Sequence, residues 1–272
     1  MPLAVQLEKI ARSREKLSAL TGGLPAIGVI AGTGLSDLAA DLQIAGRAAY
    51  AEIGFPVSTV SSHAGELVWG EWRGRRVFVL RGRFHLYEGY APDAIAAPIR
   101  ALAQAGMKKL IITNAAGGLD LSYQVGDVML IRDHINATGK SPLTGEHHAD
   151  WGERFPDMAR VWDADAHLQN YAAAKKIPLH CGVYIGTHGP ELDTPAESRM
   201  YKMLGAQAVG MSTVMEAIAA AQAGVKIVGL SAITNINNPD AQAVTSLAEI
   251  IAGAEKASGI MRELIGELVA GR

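Results

Sequence analysis

The chain has 272 residues, of which 49% are hydrophobic and 19% charged, so it can bury a sizeable core in one or two domains. Its formal net charge of −2 supplies no overall positive field, and we expect neither nucleic acid nor a membrane surface as a partner. No run of about 18 apolar residues predicts a spanning helix. The first twenty residues carry several charges, so we expect no signal peptide.

Cys181 is the only cysteine, which excludes an internal disulfide and leaves no second thiol for a zinc cluster. This usage favours a reducing, cytoplasmic compartment. Because Cys181 lies in the apolar run 181–185, we expect its thiol to be buried rather than nucleophilic.

Short apolar segments alternate with longer helix-like segments, which is typical of an α/β fold. The predicted strands, dense in Ile, Val and Leu, are 26–31, 110–113, 128–131, 182–186 and 227–233. A hairpin of 66–72 and 75–80 is predicted around the turn Arg73-Gly74. The predicted helices are 3–20, 93–105, 164–175, 196–204, 214–223 and 247–269. Without a linker or a repeat, the pattern predicts one domain over residues 1–272, with a long polar loop at 141–153.

Small or glycine-containing segments follow the predicted strands. Because ligands gather at strand ends in α/β sheets, we expect these segments to converge on one site. Gly32-Thr33-Gly34 follows the first strand, and a helix predicted after it would favour an anion there, although a plain tight turn explains this segment equally well. Arg83 can clamp two phosphate oxygens and His85 can add a donor.

Three motifs give this pattern its specificity. They are Gly-Arg-Phe-His-x-Tyr-Glu-Gly-Tyr at 82–90, Thr-Asn-Ala-Ala-Gly-Gly-Leu at 113–119 and Gly-Met-Ser-Thr-Val at 210–214. Their order and spacing resemble the trimeric, low-molecular-mass purine nucleoside phosphorylases, which are related to the methylthioadenosine phosphorylases. The resemblance implies a single domain with a central, mixed, twisted β-sheet flanked by helices. It also implies a homotrimer that uses inorganic phosphate as co-substrate, with no cofactor and no metal.

The same resemblance assigns roles to individual residues. Phosphate would be bound by Thr33, His63, Arg83, His85, the backbone amide of Ala115, and Ser212. The nucleoside would contact Tyr87, Ala115, Tyr184, Leu192, Asp193, Met211, Asn235, Leu247, and Trp151 from the neighbouring subunit. Catalytic roles would fall to His85, Asp193 and Asn235.

Two departures from the family pattern keep the substrate open. Leu192-Asp193 replaces the usual Phe-Glu pair, and Leu247 stands where a His usually contacts the 5′-hydroxyl of the sugar. We favour cleavage of 6-oxopurine nucleosides, because the amide of Asn235 can donate to N7 and to a 6-oxo group. A phosphorylase of 5′-methylthio or other 5′-deoxynucleosides is the second interpretation, and a non-catalytic nucleoside-binding module is the third.

Overall fold

The computed structural model describes residues 2–59, 64–163 and 165–271. The α-helices of this part are Leu3–Thr21 (α1), Tyr50–Ile53 (α2), Pro92–Gln104 (α3), Ala166–Lys175 (α4), Pro195–Met203 (α5), Val214–Gln222 (α6) and Leu247–Ala270 (α7). The strands are Ile27–Ala31 (β1), Gln43–Ala49 (β2), Glu66–Trp72 (β3), Arg75–Arg81 (β4), Lys109–Gly118 (β5), Val128–Asn136 (β6), Leu179–Gly186 (β7), Ala208–Gly210 (β8) and Lys226–Ile236 (β9). No helix of the described residues has the length and apolar character needed to cross a membrane.

The strands form one mixed sheet in the order β2-β3-β4-β1-β5-β8-β7-β6-β9. Strand β5 also pairs with β9 in parallel, so β5, β9, β6, β7 and β8 close on themselves as a small barrel. Strands β2, β3, β4 and β1 extend from β5 as an open wing. The predicted α/β class with a mixed sheet flanked by helices is confirmed.

Alternate residues of each central strand enter different cores, because successive side chains point to opposite faces. Ile30 and Phe78 pack in the core that contains residues of α1, α3 and α6. Their neighbours Val29 and Val77 pack in the core that contains residues of α4 and α7. The sheet is therefore covered on both faces, and its ligands must enter at the strand ends.

The predicted hairpin is confirmed, with Trp72 opposite Arg75 across a two-residue turn. Both turn residues have positive φ, 48° at Arg73 and 76° at Gly74, as a tight hairpin turn requires. The other predicted strands are present, but β5 and β6 continue five residues beyond the predicted ends, to Gly118 and Asn136.

Two expectations are wrong. The segment after β1 enters a short 3₁₀-helix at Ser36–Ala39 rather than an α-helix, so no long helix dipole adds to the turn at Thr33. Cys181 is exposed, because it lies near the start of β7, before the point where β8 pairs with that strand at Tyr184–Gly186.

The packing of α7 on β9 gives a stability test at Gly253. A Cβ at this position would lie 2.5 Å from the carbonyl oxygen of Thr234 and 2.7 Å from its Cα. Helix propensity favours Ala over Gly by about 1 kcal/mol, whereas overpacking a core costs about 1–3 kcal/mol. We therefore expect Gly253→Ala to lower the free energy of unfolding, measured by urea denaturation.

Gly259 in the same helix provides the matched control. It is exposed, and an added Cβ meets no atom within 4 Å. Gly259→Ala should raise the free energy of unfolding by about 0.5–1 kcal/mol. Equal effects of the two substitutions would contradict the close contact between α7 and β9.

Candidate active site

A cavity of about 790 Å³ opens where the strands of the barrel and the wing end. Most of the predicted site residues line it, namely Thr33, Arg83, His85, Tyr87, Ala115, Leu192, Asp193, Met211, Ser212, Asn235 and Leu247. The segments that follow the strands therefore meet at one place, as the sequence predicts. His63 lies outside the described residues.

Arg83 is the buried cation of the cavity, with 3% of its surface exposed. Its Nε donates to Glu216 Oε1 at 2.9 Å, and Nη1 donates to the carbonyl of Thr113 at 2.7 Å and to Ser212 Oγ at 3.1 Å. Its Nη2 is buried and has no hydrogen-bond partner among the described residues. Since buried donors are almost always satisfied, this unpartnered group is a candidate donor to an anionic ligand.

Ser212 stands directly before α6 on a strained turn. Thr213 has φ 77° and ψ −47°, and the amide of Val214 donates to the Ser212 carbonyl at 2.8 Å, which is the pattern of a γ-turn. A β-branched residue in this region costs about 1–3 kcal/mol. Asn114 Nδ2 holds the turn by donating to Thr213 Oγ1 at 3.0 Å. Ser212 lines the cavity, and its hydroxyl lies 3.1 Å from Nη1 of Arg83.

His85 is oriented by a carboxylate. Its Nδ1 lies 2.8 Å from Glu88 Oε1, and its ring stacks on Tyr87 with centroids 4.6 Å apart. Burial alone would raise the pKa of Glu88, but hydrogen bonds from His85 and Thr59 outweigh it and lower the pKa to about 2. An ionised carboxylate only accepts hydrogen bonds, so Nδ1 of His85 carries a proton.

A chain of hydrogen-bonded polar side chains also lines the cavity. Thr234 Oγ1 donates to Asn235 Oδ1 at 2.8 Å, and Asn235 Nδ2 donates to Asn237 Oδ1 at 2.6 Å. Asn237 Nδ2 then donates to Asp193 Oδ2 at 3.3 Å. Donors and acceptors are thus ready for the edge of a heterocyclic base.

Asp193 is partly withdrawn from water. Burial is the largest cause that raises its pKa, to about 6, and Glu197 raises it further, while the hydrogen bond from Asn237 acts in the opposite direction. The carboxyl group is therefore mainly ionised at pH 7 and protonated below about pH 6. Its folded-state pKa exceeds the ordinary value, so its ionisation disfavours the folded state as the pH rises through 6.

Tyr184 and Trp151 are not among the residues that line this cavity, and the contact of Trp151 with the nucleoside of a neighbouring subunit stays a prediction. Tyr184 is fully buried, and its hydroxyl accepts from the Ser212 amide at 3.3 Å, behind the γ-turn. Trp151 is 3% exposed because the guanidinium of Arg100 covers its ring at 3.9 Å. The exposed aromatic ring nearby is Phe155, which follows the polar loop 141–153 and is 89% exposed.

Several residues at or beside the cavity were not predicted by the sequence analysis. Asn237 and Gln242 line the cavity, and Gln242 Nε2 donates to the backbone carbonyl of Asp193 at 2.5 Å. Asn237 follows the end of β9 at Ile236, so strand periodicity does not indicate it. No local signal singles out Glu216, which meets Arg83 across 133 positions of sequence.

An apolar rim surrounds the mouth of the cavity. Leu192, Val244 and Leu247 line it and are exposed by 47%, 97% and 57%. Ile250 continues the rim inwards. The side chains of these four residues offer hydrocarbon to a ligand, while Gln242 and Thr245 of the same segment also line the cavity.

Known proteins are similar to this chain in sequence and in fold. The family model of the phosphorylase superfamily matches residues 26–270. Purine nucleoside phosphorylase 1 of Bacillus subtilis (strain 168) is 42% identical over 249 residues, covering 90% of this chain and 92% of that protein. The Schistosoma mansoni purine nucleoside phosphorylase solved with adenosine has a TM-score of 0.91 at 32% identity and 97% coverage of both chains. Its structure with inosine gives 0.89 at 31% identity, covering 98% of this chain and 97% of that one. The chain therefore belongs to the phosphorylase superfamily and, within it, to the purine nucleoside phosphorylases.

The unpartnered Nη2 of Arg83 generates a binding test with inorganic phosphate. Ser212→Ala removes a hydroxyl beside Arg83, and a hydrogen bond to a charged group contributes about 1.5–3 kcal/mol. We expect calorimetric titration to show a phosphate Kd raised at least about tenfold. Arg83→Met with Glu216→Gln should abolish binding, and the paired change avoids a stranded buried carboxylate that would cost about 3–5 kcal/mol.

Ser198→Ala is the matched control for the Ser212 variant. Ser198 is buried in α5 and its hydroxyl has no partner among the described residues, so its loss should leave the phosphate Kd unchanged. A folded Ser212→Ala protein that binds phosphate as the wild type does would refute the anion site.

Proposed function

We propose that this protein cleaves the N-glycosidic bond of purine nucleosides with inorganic phosphate and releases the free base and a pentose 1-phosphate. One observation carries the proposal. A single cavity is lined both by a buried guanidinium with an unpartnered Nη2 and by the polar chain from Thr234 to Asp193. The guanidinium suits an anion, and the polar chain suits the edge of a base.

The chemistry needs both groups at once. As the glycosidic bond breaks, positive charge develops on the sugar and negative charge on the base, and the enzyme must stabilise both. A phosphate dianion held by Arg83 and Ser212 supplies the nucleophile and the counter-charge. An N–H of Asn235 donates to N7 as electrons enter the ring. Losing one such preorganised donor typically slows a reaction about 100- to 1,000-fold.

The base preference is a proposal that depends on the chain's own polar groups. The Schistosoma mansoni enzyme has been solved with adenosine and with inosine, so the shared fold accommodates either nucleoside. We favour 6-oxopurines here, because the remaining N–H of Asn235 can donate to N7 or O6 while ionised Asp193 accepts from N1–H. Adenine would face that carboxylate with the lone pair of N1.

A second candidate is a phosphorylase of 5′-methylthio or other 5′-deoxynucleosides. The apolar rim of Val244, Leu247 and Ile250 favours it, because this rim offers no hydrogen-bond partner to a 5′-hydroxyl. An apolar 5′-substituent would instead remove some of this exposed hydrocarbon from water.

A substrate panel distinguishes these functions. Desalted, chelator-treated protein is tested with inosine, guanosine, xanthosine, adenosine and methylthioadenosine, with and without phosphate. We expect base release only with phosphate and without an added cofactor, with kcat/KM higher for inosine or guanosine than for adenosine. Equal turnover without phosphate would identify a hydrolase, and no turnover would leave a nucleoside-binding module. Faster cleavage of methylthioadenosine would select the second candidate.

We further propose that the protein is a homotrimer of the cytoplasm. The single cysteine fits a reducing compartment. An aromatic ring exposed by 89%, Phe155, is unusual unless another surface covers it, and it is a further aromatic that this part of the chain can offer to a neighbouring subunit.

Light scattering tests the assembly. The wild type should show three times the chain mass of 28.6 kDa, and Phe155→Ser should weaken the assembly because it removes the apolar contact. Met203→Ser, which changes another side chain exposed by 76%, serves as the control. An active monomer would contradict the trimer.

A further inference from the structure

Asn237 forms hydrogen bonds with two predicted base-binding residues, Asn235 and Asp193. Its side chain is 6% exposed and lines the cavity. Its Oδ1 accepts from Asn235 at 2.6 Å, while its Nδ2 donates to Asp193 at 3.3 Å. Aspartate is one methylene shorter than glutamate, and the amide of Asn237 spans the gap between that carboxylate and Asn235.

The hydrogen bonds of Thr234, Asn235, Asn237 and Asp193, here called the amide relay, all run in one direction. The hydroxyl of Thr234 donates to Asn235, Asn235 donates to Asn237, and Asn237 donates to Asp193. Ionised Asp193 can only accept, so it fixes the orientation of both amides. Each amide oxygen accepts one hydrogen bond within the relay, and each amide nitrogen keeps one N–H for a ligand.

The floor beneath the two amides is Gly117 of β5. A Cβ at Gly117 would lie 3.1 Å from Asn237 Nδ2 and 3.2 Å from Asn235 Nδ2. Gly117 also pairs with Asn235 in the sheet. The pairing of β5 with β9 thus brings both amides next to Gly117, where they line the cavity.

We propose that Asn237 is a specificity-determining residue that locks the amide of Asn235 with its N–H towards the base. The inference rests on the proposed phosphorylase activity and deepens it by naming the base class. A 6-oxopurine offers acceptors at N7 and O6, which match the N–H groups that the relay leaves. A 6-amino group offers a donor, and it would have to share an amide oxygen that already accepts a hydrogen bond within the relay.

The discrimination should be large enough to measure. An unmatched polar group in a closed site costs about 1–3 kcal/mol, which is about tenfold to over a hundredfold in kcat/KM. In Asn237→Ala, Asn235 loses the partner that orients it and can turn its oxygen to a 6-amino group. In Asn237→Asp, the acceptor for Asn235 remains, but the donor to Asp193 is lost and two carboxylates face each other.

The experiment compares kcat/KM for inosine and adenosine in the wild type, Asn237→Ala and Asn237→Asp. We expect the inosine-to-adenosine ratio to fall at least about tenfold in both variants, with the KM for phosphate unchanged. Asn238→Ala is the matched control, because Asn238 caps the next turn through the Asp240 amide at 3.1 Å. Its ratio should equal that of the wild type.

Two outcomes would overturn the inference. One is a folded Asn237 variant with an unchanged ratio, and the other is an equal loss for both nucleosides, which is what a merely structural role predicts. Calorimetric Kd values for hypoxanthine and adenine in phosphate buffer test the same ratio without turnover. A wild type that binds hypoxanthine more tightly than adenine but cleaves no nucleoside would refute the proposed function and leave the relay standing.

Discussion

The buried ion pair of Arg83 and Glu216 is the interaction on which the site depends. It ties the segment after β4 to the first turn of α6, with the two side chains 3% and 5% exposed. Breaking a buried pair is far more costly than losing a surface contact, so the wing and α6 are held in one arrangement. The guanidinium also reaches the carbonyl of Thr113 in β5. Three elements that are distant in sequence therefore meet at the guanidinium of Arg83, whose Nη2 remains available to a ligand.

The fold was predictable wherever burial left a pattern in the sequence. Strands such as β1 and β9 are apolar on both faces, and helices such as α7 end at capping residues, so both were found close to their true limits. Strand β2 was missed because most of its side chains are exposed. The ends of β5 and β6 were missed because small or polar residues there continue the sheet only through partners that local sequence does not reveal.

The strand ends that form the site could be predicted, but which side chains there face the cavity could not. Motifs at 82–90, 113–119 and 210–214 identified the residues that meet at the cavity. Whether a side chain faces the cavity or the core depends on packing across the sheet. Tyr184 and Trp151 are aromatic residues at suitable positions in sequence, yet both are buried against their own chain. Asn237 was overlooked because only its geometry links it to Asp193.

The glycine beneath the amide relay has a consequence for how this pocket can evolve. A side chain at Gly117 would press on two amides at once, since both nitrogens lie within 3.2 Å of the Cβ it would add. Larger side chains at Gly117 would therefore all disturb the two amides, so substitutions there cannot adjust the pocket in small steps. New base preferences are more accessible through exchanges of similar size at Asn235 and Asn237, where an amide and a carboxylate differ by one atom. The backbone can stay the same while the hydrogen-bond donors and acceptors of these two side chains change.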